Sequence, residues 1–322
     1  MKNFALSLFA RSLFALSFLV LVAAQPLTAQ EKFTLKSAYP PGKYEMVMTT
    51  EMDMTQEMSS SARMPMQQTQ KQYLTIDASE RSADGTQKVV MEFTRIAMET
   101  KASMLNMKYD SADPNAANSP MKMMGVMVGL KLTMWYDKDN NVTKMEGMTE
   151  FIDKLMKDPD YPRQAAEMLK GQMTDESMVK SIDFAKEMMP KVPVAVGETW
   201  KTEGTSELPM LGKTKTNLEN TLMEVKTENG RKVAVIVSKS TISSEEPKEM
   251  SVQPGMAMTI TKMDVNGEIT AVVDIESGLG ISSITDMEMA IEMSMEVGDR
   301  TMAQKFSGKG KTTVTVTPKT SR

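Results

Sequence analysis

Two stretches carry residue types at spacings that suit metal chemistry. "MKMMGVM" places Met121, Met123, Met124 and Met127 close together, and "RMPM" adds Met64 and Met66. Thioether sulfur is a soft ligand that suits Cu(I). A dedicated copper site ordinarily adds His or Cys beside Met, and the chain contains neither. "DKDNNVTKME" sets Asp137, Asp139, Asn141 and Thr143 at alternate positions, the pattern of oxygen ligands in a calcium loop. Its sixth position is Val142 where such a loop needs Gly, and its twelfth is Met148 where it needs Glu. A polar hairpin turn is the simpler reading.

The absence of His and Cys excludes Ser-His-Asp and Cys-His catalysis, His-based zinc and His general bases. Carboxylate, Lys, Tyr and Ser chemistry remain. Spacing singles out no acidic pair, and no P-loop, dinucleotide fingerprint or nucleophile elbow occurs. The expectation is a non-enzymatic protein without a cofactor. A net charge of −4 gives no sign of a nucleic-acid partner. The one basic cluster, "GKGK" at Gly308–Lys311, reads as a solvated tail.

The 36 methionines run through the chain rather than gathering at one motif. Methionine is flexible and polarizable, so it suits both irregular cores and adaptable apolar surfaces. Three readings follow: a Met-rich dry core, a lining for an apolar ligand or partner, and Cu(I) handling. The lining reading names Met46, Met48, Met52, Met54, Met287, Met289, Met293 and Met295 as candidates, with a lipid-like molecule as the possible ligand.

The elements that must carry these side chains are strands. In "YEMVMTTEMDMTQEM" the methionines alternate with Glu45, Glu51, Asp53 and Glu57. In "DMEMAIEMSMEV" Met287, Met289, Ile291, Met293 and Met295 alternate with Glu288, Glu292 and Glu296. Period two with one wet face predicts antiparallel strands, and their length predicts a large curved sheet. Further strands are predicted at Gln72–Ile76, Lys88–Ile96, Leu130–Tyr136, Val142–Met145, Thr199–Thr205, Lys213–Val225, Arg231–Ser238, Ala257–Met263, Ile269–Ile275, Gly280–Ile284 and Thr312–Thr317. Turn signals stand at "ADGT", "DKDNN", "TENG", "DVNGE" and "ESGLG". Loops are predicted at Asp110–Pro120 and Ser244–Gly255.

Between the strand-rich halves, "TEFIDKLMKDP", "YPRQAAEMLKG" and "TDESMVKSIDFAKEMMP" read as three short helices, with Thr174 capping the third. The predicted fold class is α+β: long-stranded antiparallel sheets, a curved sheet or half-barrel, with a short central helical segment. The predicted organisation is a signal peptide over 1–29, a β-rich half over 30–148, the helical segment over 149–190 and a second β-rich half over 191–322. Trp135–Val142 aligns with Val272–Leu279 without gaps, so the halves could be related. That alignment sets Asn141 against Gly278 as the left-handed turn residue.

Lys2 and Arg11 flank the start of an apolar run, Ser12–Ala24, followed by small residues. This is the pattern of a secretory signal, with cleavage after Ala24 or Ala29. No later segment is long and apolar enough to span a bilayer as a helix. Export to the periplasm or the extracellular space is expected.

The segments Pro40–Met48, Tyr136–Leu155, Pro193–Trp200 and Val272–Ser283 together resemble an uncharacterised family of exported bacterial proteins, a domain of unknown function. The resemblance implies a signal peptide, a β-rich body and no assigned catalytic residue. The long curved sheet is also similar, at the level of fold only, to half-barrels that carry lipids or lipoproteins across the periplasm.

Overall fold

The computed structural model describes residues 30–319, apart from 59–62, 103–104, 120, 160, 162, 187, 209–211, 245, 254–255 and 298–299. The signal-peptide expectation over 1–29 lies outside the described residues. Strands β1 (Lys32–Phe33), β2 (Gly42–Met58), β3 (Arg63–Ala78), β4 (Gln87–Ala102), β5 (Leu105–Asp110), β6 (Lys131–Tyr136) and β7 (Val142–Glu146) come first. Helices α1 (Met148–Lys157), α2 (Arg163–Gln172) and α3 (Asp175–Lys186) follow. The rest is β8 (Val194–Ala195), β9 (Thr199–Leu208), β10 (Gly212–Glu228), β11 (Arg231–Ser244), β12 (Lys248–Gln253), β13 (Met256–Asp274), β14 (Gly280–Val297) and β15 (Arg300–Pro318).

One antiparallel sheet of 13 strands dominates, in the order β7-β6-β4-β3-β2-β15-β14-β13-β11-β10-β9, with β5 on β4 and β12 on β13. Among the described residues β7 and β9 are its two ends, so the sheet is open. The first and last long strands, β2 and β15, pair in its middle and join the two strand-rich halves. Bulges interrupt the register at Tyr73/Leu74, Leu222/Glu224, Ile260/Lys262 and Val272/Val273. Such insertions bend a strand and increase its twist.

The turns follow their chemistry. Gly85, Asn140, Asn229, Gly230 and Gly278 all hold positive φ at the hairpins predicted from "ADGT", "DKDNN", "TENG" and "ESGLG". "DVNGE" does not turn. Asp264–Glu268 runs straight through the middle of β13, pairing with β11 on one side and β14 on the other. Here Gly267 serves close approach: a Cβ on it would lie 2.9 Å from Ser240 Oγ and 3.1 Å from the Asp286 carbonyl. "GKGK" is likewise no tail, since Gly308–Lys311 lies inside β15 between β2 and β14. Part of the expected loop at Ser244–Gly255 is strand β12, and the expected loop at Asp110–Pro120 contains a short 3₁₀ turn at Ala116–Asn118. Several strands also extend beyond their apolar cores, because Gln, Thr and Lys continue the alternation that Val and Met begin.

The two aligned turns differ by one position. Positive φ falls at Asn140 in the first and at Gly278 in the second. Asp137 Oδ1 accepts the amides of Asp139 and Asn141, each at 2.8 Å, and Asp274 Oδ1 accepts that of Ser277. The Asp137 carboxylate thus serves its own turn rather than a calcium site.

The core lies at one end of the sheet. Tyr44, Ile76, Ala78, Val89 and Val316 pack with Met134 of β6, Met145 of β7, and Met148 and Ile152 of α1. Met178, Val179 and Ile182 of α3 add to the same cluster. A second cluster joins Leu222, Ala234, Ile236 and Val273 to Phe33, Leu35 and Val194, with Met189 and Trp200 against it. Trp200 donates its indole N–H to the Met188 carbonyl at 2.9 Å, tying the chain after α3 to β9. Thr174 caps α3 as expected: Ser177 N donates to Thr174 Oγ1 and Thr174 N to Ser177 Oγ.

Candidate functional site

Residues paired across an antiparallel ladder share a face, so the register sorts the whole sheet into two sides. One row reads Met98–Gln70–Thr50–Thr312–Thr285–Ile269–Ser238–Asn220 from β4 to β10. The next reads Thr100–Gln68–Met52–Gly310–Met287–Gly267–Ser240–Leu218, and the next Ala102–Met66–Met54–Gly308–Met289–Val265–Ile242–Thr216. Beyond them lie Gln56–Phe306–Ile291–Met263, then Met58–Gln304–Met293–Ile260. In these five rows no described side chain is charged, whereas nearer the second core cluster Lys232 of β11 lies on the same side, its ammonium 4.7 Å from the centre of the Phe33 ring.

The opposite face holds the charges. Glu51–Lys311–Asp286, Asp53–Lys309–Glu288 and Glu57–Lys305–Glu292 form three rows across β2, β15 and β14. Each lysine sits between two acids. Lys309 Nζ reaches Glu288 at 2.6 Å and Lys305 reaches Glu292 at 3.7 Å. The hydrogen bond from Lys309, then its charge, holds the Glu288 carboxyl below the usual range. The contrast repeats on β10, where Thr214, Thr216, Leu218 and Asn220 are buried and Lys213, Lys215 and Glu219 are exposed.

The eight candidate methionines all stand on the uncharged face, on β2 and β14, with β15 between them. All eight are half-buried, and none belongs to the buried core. Strand spacing puts Met52 and Met287, on either side of Gly310, about 10 Å apart. The flanking side chains lean over the glycines. A Cβ on Gly308 would lie 3.1 Å from Met54 Cγ, and one on Gly310 would lie 3.1 Å from Met287 Cγ. Met46 differs from the others, since it packs at the edge of the first core cluster under α1 and α3.

The uncharged face therefore has three zones. Its first rows are covered by the helical segment. A row of neutral polar groups crosses next, with Thr50 Oγ1 and Thr312 Oγ1 3.2 Å apart and Ser238 Oγ donating to Asn220 Oδ1 at 2.6 Å. Beyond it a Met-rich band runs to the far end of the strands. Sequence reasoning missed the breadth of this face. The signal was present in the alternation of Thr, Gln and Ser with Lys and Glu in β3, β10 and β11, but apolar periodicity alone does not detect it.

Two hollows of about 580 and 550 Å³ centre on the glycines of β15 and β13 and are lined by residues of both faces. Around Gly308 the first brings Met54, Met66 and Met289 together with Asp53, Glu288 and Lys309. A third, of about 1100 Å³, lies between α1 and the β6–β7 hairpin and mixes Lys131, Glu150, Asp153 and Lys154 with Phe151 and Leu155.

Among the described residues every displaced carboxylate is displaced downward. Asp84, Asp110, Asp153 and Glu288 are held low chiefly by side-chain hydrogen bonds from Ser82, Arg95, Lys170 and Lys309. A carboxyl acting as general acid needs the reverse. Burial raises Tyr39, Tyr44 and Tyr109. Met121 of the Met121–Met127 cluster is buried against Met98 and Tyr109, so its sulfur sits in packing. No described helix is long and apolar enough to cross a membrane, which leaves open crossing by strands.

Among solved structures, the chain is similar to one described as lipid–protein interactions in lipovitellin, with 8% identity and a TM-score of 0.43. The match covers 88% of this chain and 26% of that one, so the chain spans about a quarter of its length. It is also similar to OpdQ of Pseudomonas aeruginosa, with 6% identity, TM-score 0.20, and 86% and 99% of the two chains covered. The translocator domain of the autotransporter NalP from Neisseria meningitidis matches with 6% identity, TM-score 0.18, and 95% and 97% covered. No curated protein matches the chain. A family model described as "Family of unknown function (DUF6263)" matches residues 84–280, which takes in the Tyr136–Leu155 and Pro193–Trp200 segments and most of Val272–Ser283. That match spans more than half of the chain, and the protein belongs to this family of unknown function.

Proposed function

We propose that this is an exported, non-enzymatic protein that receives an apolar ligand or partner on the uncharged face of its sheet. One observation carries the reading: the five rows from Met98–Asn220 to Met58–Ile260 hold no described charged side chain, while their methionines on β2 and β14 are half-buried rather than sealed in the core. A charge in such a place would oppose apolar contact through its desolvation cost. Methionine fits the role because its flexible thioether side chain adapts to ligands of varied shape. Export rests on the Lys2 and Arg11 flanks and the apolar run Ser12–Ala24.

The test is native mass spectrometry of protein purified without detergent from the exporting cell, followed by displacement of Nile red. A co-purified lipid-like mass and saturable, displaceable probe binding are expected. A protein that carries no such mass and binds no apolar probe at micromolar concentration has some other role.

A further inference from the structure

The three zones of the uncharged face have an order that a purely greasy surface would not need. We infer that the face takes an acyl-ester lipid in a fixed orientation, with the ester region on the neutral polar row and the acyl chains along the Met band. This inference rests on the apolar-ligand reading above and gives it a ligand class.

Three observations support it. First, the polar row lies where cover ends. Val314, one row nearer the helices, packs against the first core cluster, and Ile236 and Leu222 lie in the second. The row itself offers Thr50, Thr312, Thr285 and Gln70. Thr50 and Thr312 share one hydrogen bond, which leaves each hydroxyl capacity for another. Among the described residues, Gln70 and Thr285 make no side-chain hydrogen bond. Esters accept hydrogen bonds and carry no charge, so they match the hydroxyl and amide donors of a row that holds no cation. A carboxylate there would be desolvated without a partner.

Second, the Met band has the length of an acyl chain. Met52 to Met58 spans six residues of strand, about 20 Å at ~3.3 Å per residue. One leaflet's chains span about 15 Å, half of a ~30 Å hydrocarbon core. Third, the floor can open. Gly308 and Gly310 leave β15 without side chains between the β2 and β14 methionines, and Met54 and Met287 lean over that gap. Rotating these unbranched side chains outward exposes a trough along β15 without moving backbone.

Methyl-¹³C-methionine NMR of the full mature chain, titrated separately with dioctanoylglycerol, dodecane and decanoate, tests the orientation. Dioctanoylglycerol should shift Met52, Met54, Met287 and Met289 while leaving the core residues Met134, Met145 and Met148 in place. Its glycerol protons should show contacts to the Thr50, Thr285 and Thr312 methyls, and its chain ends to Met58 and Met293. The double variant Thr50→Val, Thr312→Val should bind dioctanoylglycerol about five- to tenfold more weakly, the loss expected for one or two hydrogen bonds, with dodecane binding unchanged. Decanoate should bind more weakly than the ester. Glycerol contacts at the Met58 end, tighter binding of decanoate, or equal loss for dodecane and ester overturns the orientation. If none of the three ligands moves a Met-band methyl, the apolar-ligand reading itself falls. The contact pattern is read on the unmodified chain, so it stands even if the double variant does not fold.

Discussion

Replacing methionines one at a time by serine measures whether the Met band is core or open surface. Met263 is 2% exposed, on β13 between Ile291 of β14 and the Ser244 end of β11. Truncating it removes a whole buried side chain and leaves a cavity bounded by neighbouring strands, a loss of roughly 3 kcal/mol with a range of 2–5. Met54 and Met289 face the same way but are half-buried beside Gly308. Each has only part of its side chain withdrawn from water, and the glycine beside it supplies no atoms to be left unsupported. At ~0.8 kcal/mol per buried methylene, the loss should be about 1 kcal/mol or less. Urea unfolding of each variant gives the numbers, provided the slope m is unchanged. The same variants should then be titrated with an apolar probe: Met54→Ser and Met289→Ser should weaken binding severalfold, and Met263→Ser should not do so beyond its effect on folding. If Met54→Ser and Met289→Ser each cost as much stability as Met263→Ser, the band is packed interior, and the ligand reading loses its main support.

Three further perturbations follow. Gly308→Ala should lower stability by about 1–3 kcal/mol in urea, because its Cβ would lie within 3.0 Å of Met54 Cα and closer still to the Asp53 carbonyl in the neighbouring strand, whereas Gly280→Ala, with open space around it, should cost far less. Asp110 accepts a two-pronged hydrogen bond from Arg95, which depresses its folded pKa; a depressed carboxylate contributes stability above its unfolded pKa and loses it as pH falls through the folded value, so Asp110→Asn should lower the urea midpoint at pH 7 and match the parent at pH 2. Brief peroxide treatment, read by peptide mass spectrometry, should oxidise Met64, Met124, Met223 and Met302 first and Met134, Met145, Met148 and Met263 last, with the band methionines between them.

The parts of this fold that were legible in the sequence are those where one local rule decides. Met and Glu alternate so strictly in β2 and β14 that only strands with one wet face fit them. The helical segment announced itself through Thr174 and through the apolar spacing of Ile152 and Leu155. The hairpins at Asn140 and at Asn229–Gly230 needed residues that accept positive φ. What stayed hidden depended on neighbours distant in sequence. Asn266-Gly267 has the composition of a hairpin, but strands on both sides supply hydrogen bonds to its extended backbone, and pairing outweighs local turn preference. Gly308 and Gly310 weaken β15 as an isolated segment and become intelligible only when Met54 and Met287 are seen to need the space. Neutral rows built from Thr, Ser, Gln and Asn do not register as a face until the register joins them.

A face made largely of interchangeable methionines poses a problem of its own. Slipping one strand past another by two residues keeps every Met on the same side, so the apolar pattern specifies the face and leaves the register weakly fixed. The charged side supplies what the Met side lacks. In the observed register Lys311, Lys309 and Lys305 each meet an acid on β14, at Asp286, Glu288 and Glu292. A slip of two residues in either direction keeps only one such pairing and sets the other lysines opposite Ala290, Ile284 or Ser294. The pairing of β15 with β2 behaves in the same way, since Glu51, Asp53 and Glu57 match the same three lysines only in the observed register. Opposite charges directly across a ladder favour that pairing, and here they sit on the strands where the two ends of the chain meet. Division of labour between the faces follows: the outer face aligns the strands by charge, which frees the inner face to be soft, uncharged and adaptable. Reversing Lys305, Lys309 and Lys311 to glutamate should therefore disturb the pairing of β15, read as faster amide exchange along β2, β14 and β15, without placing a single charge on the Met side. Exchange rates unchanged in all three strands would mean that the glycine fit, rather than charge, sets the register.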